Sequence, residues 1–447
     1  MMAETAKTQP DWLIALGIAI AAFVVYATTL GHGFTNWDDD LLIAKNPRIQ
    51  SLDLSLLLTP QAGKTYQPVR EISYALNHAM HGLRPMGFHL GNVLLHALAS
   101  GLLYLMLLAV LRAFDRESVR VAGIAALLFA LHPVNVEAVA WASSRKYGLL
   151  AVFLFAAVIC HLRGGKWRGG AIACAWLATL SSPFGVVAGA LIAWLDRCRG
   201  ERWNWCYLAA LASPGLAILP LLMSPETAES AIQAYPGGNP LTTAVVMLRC
   251  VFDYARNLVL PIWLNCRYLV AFVGSAKHPG WILAAWGILV LCRWLWRRGD
   301  GLARFCAGWA LLSWLPVSNI VPISTQMADC YLYIPAVGIF LGLALLAKRK
   351  PQIAIAALII LGAMTVHRNR MWKDSLSLWQ ASVSANSANP IAHVNLGHAW
   401  MLEGKFKVAA ESFETATKLD PKDADALAGL GAVADSIRTR RSLCSVF

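Results

Sequence analysis

The sequence predicts an all-α, polytopic membrane protein that ends in a short region of repeated helix pairs. Of its 447 residues, 57% are hydrophobic and only 14% are charged, whereas about a quarter of the residues in a soluble protein are charged. Apolar runs of about 20 residues recur along the chain, and this is the length that a helix needs to cross a bilayer. Near the C-terminus the composition becomes that of a soluble protein, and a period of 34 residues appears.

Basic clusters between the apolar runs predict the topology, because Lys and Arg concentrate in the cytoplasmic loops of membrane proteins. If every cluster faces the cytoplasm, the N-terminus is inside and the long first loop, residues 31–88, is outside. The net charge of +13 is explained in this way and indicates no nucleic-acid partner. The first run is predicted to be an anchor, because it is too long for a signal peptide and lacks a small-residue cleavage site. Eleven crossings are then expected, near residues 11–30, 89–111, 120–133, 147–162, 170–181, 184–196, 204–223, 280–296, 304–318, 331–347 and 351–366.

One apolar segment, residues 241–264, does not fit this alternation. It has to begin and end outside, so we expect an interfacial or re-entrant helix. Arg249, Asp253 and Arg256 follow one another at i, i+4 and i+7, which places them on one helical face. Charges at membrane depth are costly and usually face water or a cavity. The alternative is a spanning helix with an internal salt bridge.

The C-terminal segment predicts a tetratricopeptide repeat, whose period is 34 residues. Leu396-Gly397 recurs as Leu430-Gly431. The helix-packing positions of one full repeat are filled by Trp400, Ala409, Phe413, Ala416 and Pro421. Because about three repeats are needed to bury a continuous core, these repeats either pack on the membrane part or belong to an array cut short. We therefore divide the chain into a membrane domain, 1–370, and a repeat region, 371–447, which eleven crossings place outside.

Four segments outside the membrane carry unusual clusters of polar side chains. They are NWDDDLLIAKNP from Asn36, YQPVREISYALNHAMHGLRPMGFHLGNVLLH from Tyr66, LHPVNVEAVAWASSRKYGLL from Leu131 and LPVSNIVPISTQMADCYLYIP from Leu315. The clustered carboxylates can deprotonate a hydroxyl or hold a divalent cation, and cations at the mouth of a helix can bind a phosphate. Each feature also has a simpler explanation, namely solvated acids, interfacial cations and histidines that only pack.

In this order, the four segments resemble those of the GT-C class transmembrane and tetratricopeptide-repeat glycosyltransferases, the protein O-mannosyltransferase family, and especially its bacterial members. The first segment resembles N-F-D-D-D-x-Y-x-x-x-N-P and matches it at Asn36, Asp38, Asp39, Asp40, Asn46 and Pro47. The second matches the family pattern at Pro68, Gly82, Leu83, Pro85, Gly87, His89, Asn92 and His96. The third resembles H-P-x-x-V-E-x-V-A-W-x-x-x-R-K and matches at His132, Pro133, Val136, Glu137, Val139, Ala140, Trp141, Arg145 and Lys146. The fourth resembles A-D-R-Y-x-Y-x-P and matches at Ala328, Asp329, Tyr331, Tyr333 and Pro335.

The resemblance implies a GT-C-like fold and a specific activity. Such enzymes take a sugar from a polyprenyl-phosphate carrier at the outer face of the membrane and transfer it, with inversion, to a hydroxyl. The acceptor implied here is a glycan or a Ser or Thr of an exported protein such as a pilin, and membrane lipids are the other partner. By this resemblance Asp38 or Asp39 is the base or a ligand of Mg²⁺ or Mn²⁺, and Arg145 and Lys146 contact the donor phosphate. To these we add Arg256 as a phosphate contact, and the supporting residues are expected to be Asp40, Gln67, His89, His132, Glu137, Asp329 and Tyr331.

Five positions depart from the family pattern, and each change removes a titratable or charged group. In chain order, the resemblance expects a His, an acid, a second acid, a Lys and an Arg, where this chain has Gln67, Ser144, Tyr147, Ser182 and Cys330. Either a different donor sugar or a loss of activity explains them. Two other functions stay open: a membrane scaffold whose repeats recruit a partner, and a lipid-carrier transporter, which would need an internal symmetry that the sequence lacks. The bacterial-type motifs favour a bacterial inner membrane, with a cytoplasmic N-terminus and with repeats and active site in the periplasm.

Overall fold

The structure is a computed structural model that describes residues 10–61, 64–222, 234–270 and 272–444. Within these residues all regular structure is helical, which confirms the all-α prediction. We number the described α-helices in chain order: α1 (Asp11–Tyr26), α2 (Leu54–Leu58), α3 (Pro68–His81), α4 (Pro85–Ala113), α5 (Val119–Leu131), α6 (Val136–Ala140), α7 (Arg145–Arg163), α8 (Trp167–Ser181), α9 (Val187–Arg199), α10 (Trp205–Leu222), α11 (Pro240–Val259), α12 (Phe272–Lys277), α13 (Gly280–Arg297), α14 (Gly301–Trp314), α15 (Ala336–Ala347), α16 (Pro351–Asn369), α17 (Ser375–Ala385), α18 (Pro390–Leu402), α19 (Phe406–Leu419) and α20 (Ala424–Cys444).

Each of the eleven apolar runs predicted to cross the membrane falls mainly on one of these helices. The boundaries differ where proline intervenes. Helix α5 ends at Leu131, two residues early, because Pro133 has no N–H to continue the helical hydrogen bonds. Helix α15 begins at Ala336 rather than near 331, because residues 329–332 form a separate 3₁₀ turn before it.

The protein is a multi-pass membrane protein, as predicted. By length and composition, four described helices can cross a bilayer, and their ranges are Asp11–Gly31, Pro85–Ala113, Ala142–Arg163 and Pro351–Trp372. A fifth crossing results if the pair Val119–Leu131 and Pro133–Ala140, which bends by 50°, counts as one span. Three more helices are apolar but shorter. The count of eleven crossings and their orientation stay predictions.

The segment that did not fit the topology forms the single helix α11. Its polar stripe is present as expected, because Arg249 Nε lies 2.8 Å and Arg256 Nη1 lies 3.2 Å from the carboxylate of Asp253. The three charges therefore form an internal ion-pair network on one face of the helix. Whether this helix spans the membrane or lies at its surface stays a prediction. Most of the loop before it, 224–240, lies outside the described residues.

The repeat helices pack directly on the membrane part, which is one of the two arrangements expected for so short an array. Trp372, Leu378, Trp379 and Ala392 belong to the same buried cluster as residues of α1, α4 and α7. A second cluster, which contains Phe413, lies inside the repeat itself. The domain boundary at residue 370 stays a prediction.

Candidate functional site

Asp39, the middle aspartate of the run, is a buried anchor between two distant parts of the chain. Its Oδ2 accepts hydrogen bonds from the backbone N–H and the hydroxyl of Thr35, at 2.8 and 2.9 Å. Its Oδ1 accepts hydrogen bonds from the backbone N–H and the hydroxyl of Ser143, at 3.0 and 2.6 Å. Burial raises the pKa of Asp39, and these four donors oppose the rise. Both oxygens are therefore occupied in holding the first loop against the segment that precedes α7.

Asp38 has a different environment, although it is the preceding residue. Among the residues that the structure describes, its carboxylate accepts no hydrogen bond and has no cation within 4.0 Å. Burial raises the pKa of Asp38, and the positive charges of Lys146 and then Arg70 oppose this rise. A carboxylate with a raised pKa and unoccupied lone pairs is suited to accept a proton from a hydroxyl.

Arg70 and Lys146 bring two positive charges to the same place. Arg70 lies on α3, is only 7% exposed, and its Nε has no hydrogen-bond partner. Lys146 is the second residue of α7, and its Nζ lies 5.3 Å from the centre of the Tyr147 ring. Within the described ranges neither side chain has a carboxylate close enough for an ion pair, and the two charges act against each other. Because neither cation forms an ion pair, although Asp38 and Glu137 attract Lys146 from a greater distance, this pair is suited to bind an anion such as a phosphate.

Arg145 is placed very differently from the residue that follows it. Its guanidinium is buried and donates to Asn92 Oδ1 at 2.9 Å, to the carbonyl oxygen of Ser73 at 3.0 Å and to that of Phe88 at 2.7 Å. Its Cζ also lies 4.6 Å from the centre of the Tyr74 ring. Arg145 therefore connects α3, α4 and α7, and its donor groups are directed at the protein.

Glu137 and Asp329 form a second buried acidic cluster. The Oε2 of Glu137 accepts a hydrogen bond from the backbone N–H of Cys330 at 3.1 Å. Asp329 accepts a hydrogen bond from the Tyr268 hydroxyl, and its Oδ2 lies 3.6 Å from a guanidinium nitrogen of Arg368. Burial and then the Glu137 carboxylate raise the pKa of Asp329. These two acids connect the third and fourth sequence motifs to the end of α16.

Two of the predicted supporting histidines hold the backbone. His89 donates from Nε2 to the carbonyl oxygen of Gly33 at 3.2 Å, and this fixes the start of the first loop. His132 donates from Nε2 to the carbonyl oxygen of Leu258 at 3.1 Å, and its Nδ1 accepts from the backbone N–H of Val134. Both rings therefore position chain segments around the site.

The structure does not bring Asp40 or Arg256 into contact with Asp38. The carboxylate of Asp40 is half-exposed and forms an ion pair with Lys45 at 2.7 Å. In the described part of the chain, the guanidinium of Arg256 contacts its own helix at Asp253 and the ring of Trp263, whose centre is 4.7 Å away. Neither side chain interacts with Lys146 or Arg70 there.

Two of the five departures from the family pattern are in contact with each other. The thiol of Cys330 donates to the Tyr147 hydroxyl at 3.3 Å, and both residues are buried. Both line a cleft that encloses about 300 Å³ of empty space, open solvent included. The other residues that line this cleft are mostly apolar, namely Leu150, Phe184, Val187, Ser313, Val317, Tyr331, Ile334 and Pro335.

The other three departures lie in helix-end positions. Gln67 precedes the first residue of α3 and is buried, and its Oε1 has no hydrogen-bond partner. Ser144 precedes α7, and its hydroxyl donates to the carbonyl oxygen of Glu137. Ser182 follows α8 and is buried.

Two cations received no role from the sequence, one that interacts with Asp38 and one that lies beside the ring of the preceding residue, Trp37. Arg70 lies in the second polar segment, three residues after Gln67. Because residues three apart on a helix are neighbours, this spacing could have indicated that Arg70 lies on the same side of the helix as Gln67. Arg267 lies in the loop after α11, where no motif marks it. Its guanidinium donates to the Thr325 hydroxyl at 2.9 Å, and its Cζ lies 6.0 Å from the centre of the Trp37 ring.

The predicted metal site does not fit the geometry around the aspartates. Both oxygens of Asp39 already accept two hydrogen bonds each from N–H and O–H groups, which cannot be exchanged for a cation without breaking the anchor. The two neighbours that influence Asp38 most are cations, which disfavour a metal ion there. The described residues also contain no cluster of three or more His, Cys, Asp or Glu side chains that could hold a metal.

Comparison with protein families and curated proteins finds the same relatives as the motifs do. A tetratricopeptide-repeat family model matches residues 390–423, which confirms the predicted full repeat. The chain is 26% identical to the protein O-mannosyl-transferase F38B6.6 of Caenorhabditis elegans over 92% of its own length and 62% of that protein. It is 25% identical to the protein O-mannosyl-transferase Tmtc3 of Drosophila melanogaster, over 97% of this chain and 58% of that protein. It thus spans about three fifths of these relatives.

Among solved structures, the chain is similar to ArnT from Cupriavidus metallidurans bound to undecaprenyl phosphate, with 14% sequence identity and a TM-score of 0.46. That alignment covers 94% of this chain and 77% of ArnT. The alignments with these two curated relatives cover 92% and 97% of this chain. Over nearly its whole length the chain is therefore a relative of the protein O-mannosyl-transferases, as its motifs indicate.

Proposed function

We propose that the chain is a membrane glycosyltransferase that moves a sugar from a polyprenyl-phosphate carrier to a hydroxyl of a polypeptide. The observation that carries the proposal is the arrangement of Asp38, Lys146 and Arg70. The Asp38 carboxylate accepts no hydrogen bond and interacts electrostatically with two cations, and neither cation has a carboxylate within ion-pair distance among the described residues. This is what an inverting transfer from a phosphate carrier needs, because one group must accept a proton and two must bind a phosphate.

In the proposed reaction Asp38 accepts the proton of the acceptor hydroxyl. The hydroxyl oxygen then forms a bond to the anomeric carbon of the sugar, on the face opposite the phosphate. The bond between the anomeric carbon and the phosphate oxygen breaks, and its electron pair leaves with the polyprenyl phosphate. Lys146 and Arg70 stabilise the negative charge that develops on this leaving group. No step requires a metal ion.

Arg145 and Asp39 take positioning roles in this proposal. Arg145 fixes α3 and α4 against the start of α7, which sets the distance between Arg70 and Lys146. Asp39 fixes the first loop to Ser143, two residues before Arg145 in the chain. The reacting groups therefore rest on buried, hydrogen-bonded supports, and this kind of preorganisation lowers the cost of reaching the transition state.

The sugar, the acceptor and the location are proposed from the names of the relatives and from the sequence motifs. Mannose is the first sugar to test, since the curated relatives are named O-mannosyl-transferases. The acceptor is proposed to be Ser or Thr of an exported protein such as a pilin, at the outer face of the membrane. A bacterial inner membrane, with the site in the periplasm, is proposed from the motifs alone.

The experiment that tests the donor site compares Arg70→Gln with Arg84→Gln. Arg84 lies in the same segment but is exposed. Each variant is extracted mildly with its native lipids, and co-purifying lipids are identified by mass spectrometry. Wild type and Arg84→Gln should retain a polyprenyl phosphate or its sugar conjugate, whereas Arg70→Gln should lose it. Equal retention by Arg70→Gln would refute the assigned phosphate site.

The experiment that tests the chemistry compares Asp38→Asn with Asp40→Asn. Transfer of mannose from polyprenyl-phosphate mannose to a Ser/Thr-rich peptide should fall by about 10²-fold or more in Asp38→Asn, the usual effect of removing a general base. It should stay near the wild-type rate in Asp40→Asn. Full activity of Asp38→Asn would refute the proposal that Asp38 is the general base. Absence of carrier lipid and of transfer in the folded wild type would instead favour the scaffold, whose repeats recruit a partner.

A further inference from the structure

The repeat region contacts the first loop directly beside Asp38. Three hydrogen bonds join Asn36 to the repeat helices. Its backbone N–H donates to Ser375 Oγ at 2.9 Å, and its Nδ2 donates to the carbonyl oxygen of Asn395 at 3.2 Å. Its Oδ1 accepts from the indole N–H of Trp379 at 2.7 Å. All polar groups of the Asn36 side chain and its N–H are thus bound by α17 and α18.

Aromatic contacts strengthen this connection. The rings of Trp37 and Trp379 meet edge to face, with centres 5.2 Å apart. Trp379 is fully buried, so its ring is held by its surroundings and cannot move independently. On the preceding side, the backbone N–H of Gly33 donates to the carbonyl oxygen of Lys373 at 2.8 Å. The loop is therefore bound to the repeat region at Gly33, Asn36 and Trp37, and among the described residues no hydrogen bond or ion pair joins the repeat to the side chain of Asp38.

Asp38 consequently lies between two supports of different origin. On one side Asp39 holds the loop to Ser143 in the membrane part. On the other side Asn36 and Trp37 hold it to Trp379 in the repeat region. A carboxylate with no hydrogen bond of its own takes its position from the backbone on both sides. The backbone on one of those sides is set by the repeat.

We propose that the repeat hairpin formed by α17 and α18 is a positioning element of the active site, in which Trp379 and Ser375 act through Asn36 to hold Asp38 in place. This inference rests on the proposed catalytic role of Asp38. It assigns the first helices of the repeat region to the catalytic unit. If these helices only recruited a partner, sugar transfer would not depend on them.

Two substitutions remove the hydrogen bonds and keep the packing. Trp379→Phe removes the indole N–H but leaves an aromatic ring against Trp37, and Ser375→Ala removes the hydroxyl that accepts from Asn36. Two controls match them in residue type. Trp400→Phe changes the tryptophan of α18, whose ring contacts Lys405, and Ser377→Ala changes the serine two residues further along α17.

The first readout is hydrogen–deuterium exchange of the peptide that contains residues 33–40, in the full chain in lipid nanodiscs. The Asn36 amide should exchange at least tenfold faster in the Ser375→Ala/Trp379→Phe double variant, and at the wild-type rate in the double control. This readout does not depend on any activity. Unchanged exchange in the double variant would overturn the proposal.

The second readout is transfer kinetics per folded molecule. A displaced base lowers the rate of the chemical step, so kcat should fall at least tenfold while KM for the carrier-linked sugar stays within twofold. An unchanged kcat, despite faster exchange of the loop, would overturn the positioning role. If the wild type itself transfers no sugar but the exchange result holds, the proposed function fails while the support of the loop by the repeat stands.

Discussion

Arg145 and Lys146 are neighbours in the chain, but Arg145 is hydrogen-bonded to the protein whereas Lys146 is proposed to bind the phosphate. One pair of substitutions can separate these two roles. Arg145→Met and Lys146→Met each replace a long cationic side chain by an apolar chain of similar length. The first should destabilise the protein, because Arg145 is a buried connection between three helices. The second should leave stability nearly unchanged but abolish binding of the carrier, because Lys146 has no ion pair to lose within the described residues.

The size of the Arg145 effect follows from its contacts. Its loss removes the donor of Asn92 Oδ1 and a second hydrogen bond from each of the helical carbonyl oxygens of Ser73 and Phe88, at about 1 kcal/mol each. Loss of the contact with the Tyr74 ring adds about 1 kcal/mol. A destabilisation of about 4 kcal/mol results, which in a chain of this size lowers the apparent Tm by on the order of 5 °C.

The assay is thermal unfolding in lipid nanodiscs, combined with mass spectrometry of the bound carrier lipid. The expected pattern is a lower Tm for Arg145→Met and a wild-type Tm without carrier for Lys146→Met. The reasoning fails if Arg145→Met keeps the wild-type Tm and loses the carrier as Lys146→Met does. In that case the guanidinium would be available to the phosphate, and the hydrogen bonds described above would contribute little.

Four further outcomes are expected. Because burial raises the pKa of Asp38 and a base acts deprotonated, the acidic limb of the kcat/KM profile should lie above the ordinary aspartate pKa of about 4. Lys146→Met should move the residual limb to higher pH, since the cation that favours the carboxylate is gone; a limb that moves to lower pH would contradict the assignment. Transfer should continue after dialysis against EDTA, and its loss with recovery on addition of Mg²⁺ or Mn²⁺ would contradict the metal-free reaction. Gly91→Ala should destabilise the protein through Arg145, because the new Cβ would lie 2.7 Å from a guanidinium nitrogen, and a wild-type Tm would show that the guanidinium can shift freely.

The helices could be predicted because their signal is local. An apolar run of about 20 residues requires a helix wherever it crosses or approaches a bilayer, and every predicted run coincides with a helix of the structure. The repeat was predictable for a similar reason, since Leu396 and Leu430 belong to a period that recurs within the sequence itself. The errors of boundary at Leu131 and Ala336 arise where a proline or a separate 3₁₀ turn interrupts the run.

The division of roles within the site could not be predicted, because it depends on partners that are far away in sequence. Asp38 and Asp39 look equivalent in a run of acids, but Asp39 alone accepts hydrogen bonds from Thr35 and from Ser143, which is 104 residues further on. Arg145 and Lys146 also look equivalent, yet successive helical residues point about 100° apart and so meet different neighbours. The hydrogen bond that supports the first loop joins Asn36 to Trp379, 343 residues further along the chain, and no local sequence pattern predicts it.

The positions of the departures favour an altered substrate over a lost activity. The resemblance expects an acid after Lys146 and an arginine after Asp329, and the structure brings those two positions together as Tyr147 and Cys330. Removing both members of an opposite pair leaves no unpaired buried charge, whereas removing one would be strongly destabilising. The change therefore converts a charged contact into a neutral one at the edge of the cleft and leaves the Asp38, Lys146 and Arg70 arrangement in place. If Asp38 is the base and Lys146 and Arg70 bind the phosphate, as proposed, the neighbouring cleft has fewer charged groups than the family pattern expects, and such a cleft suits a donor with fewer polar contacts.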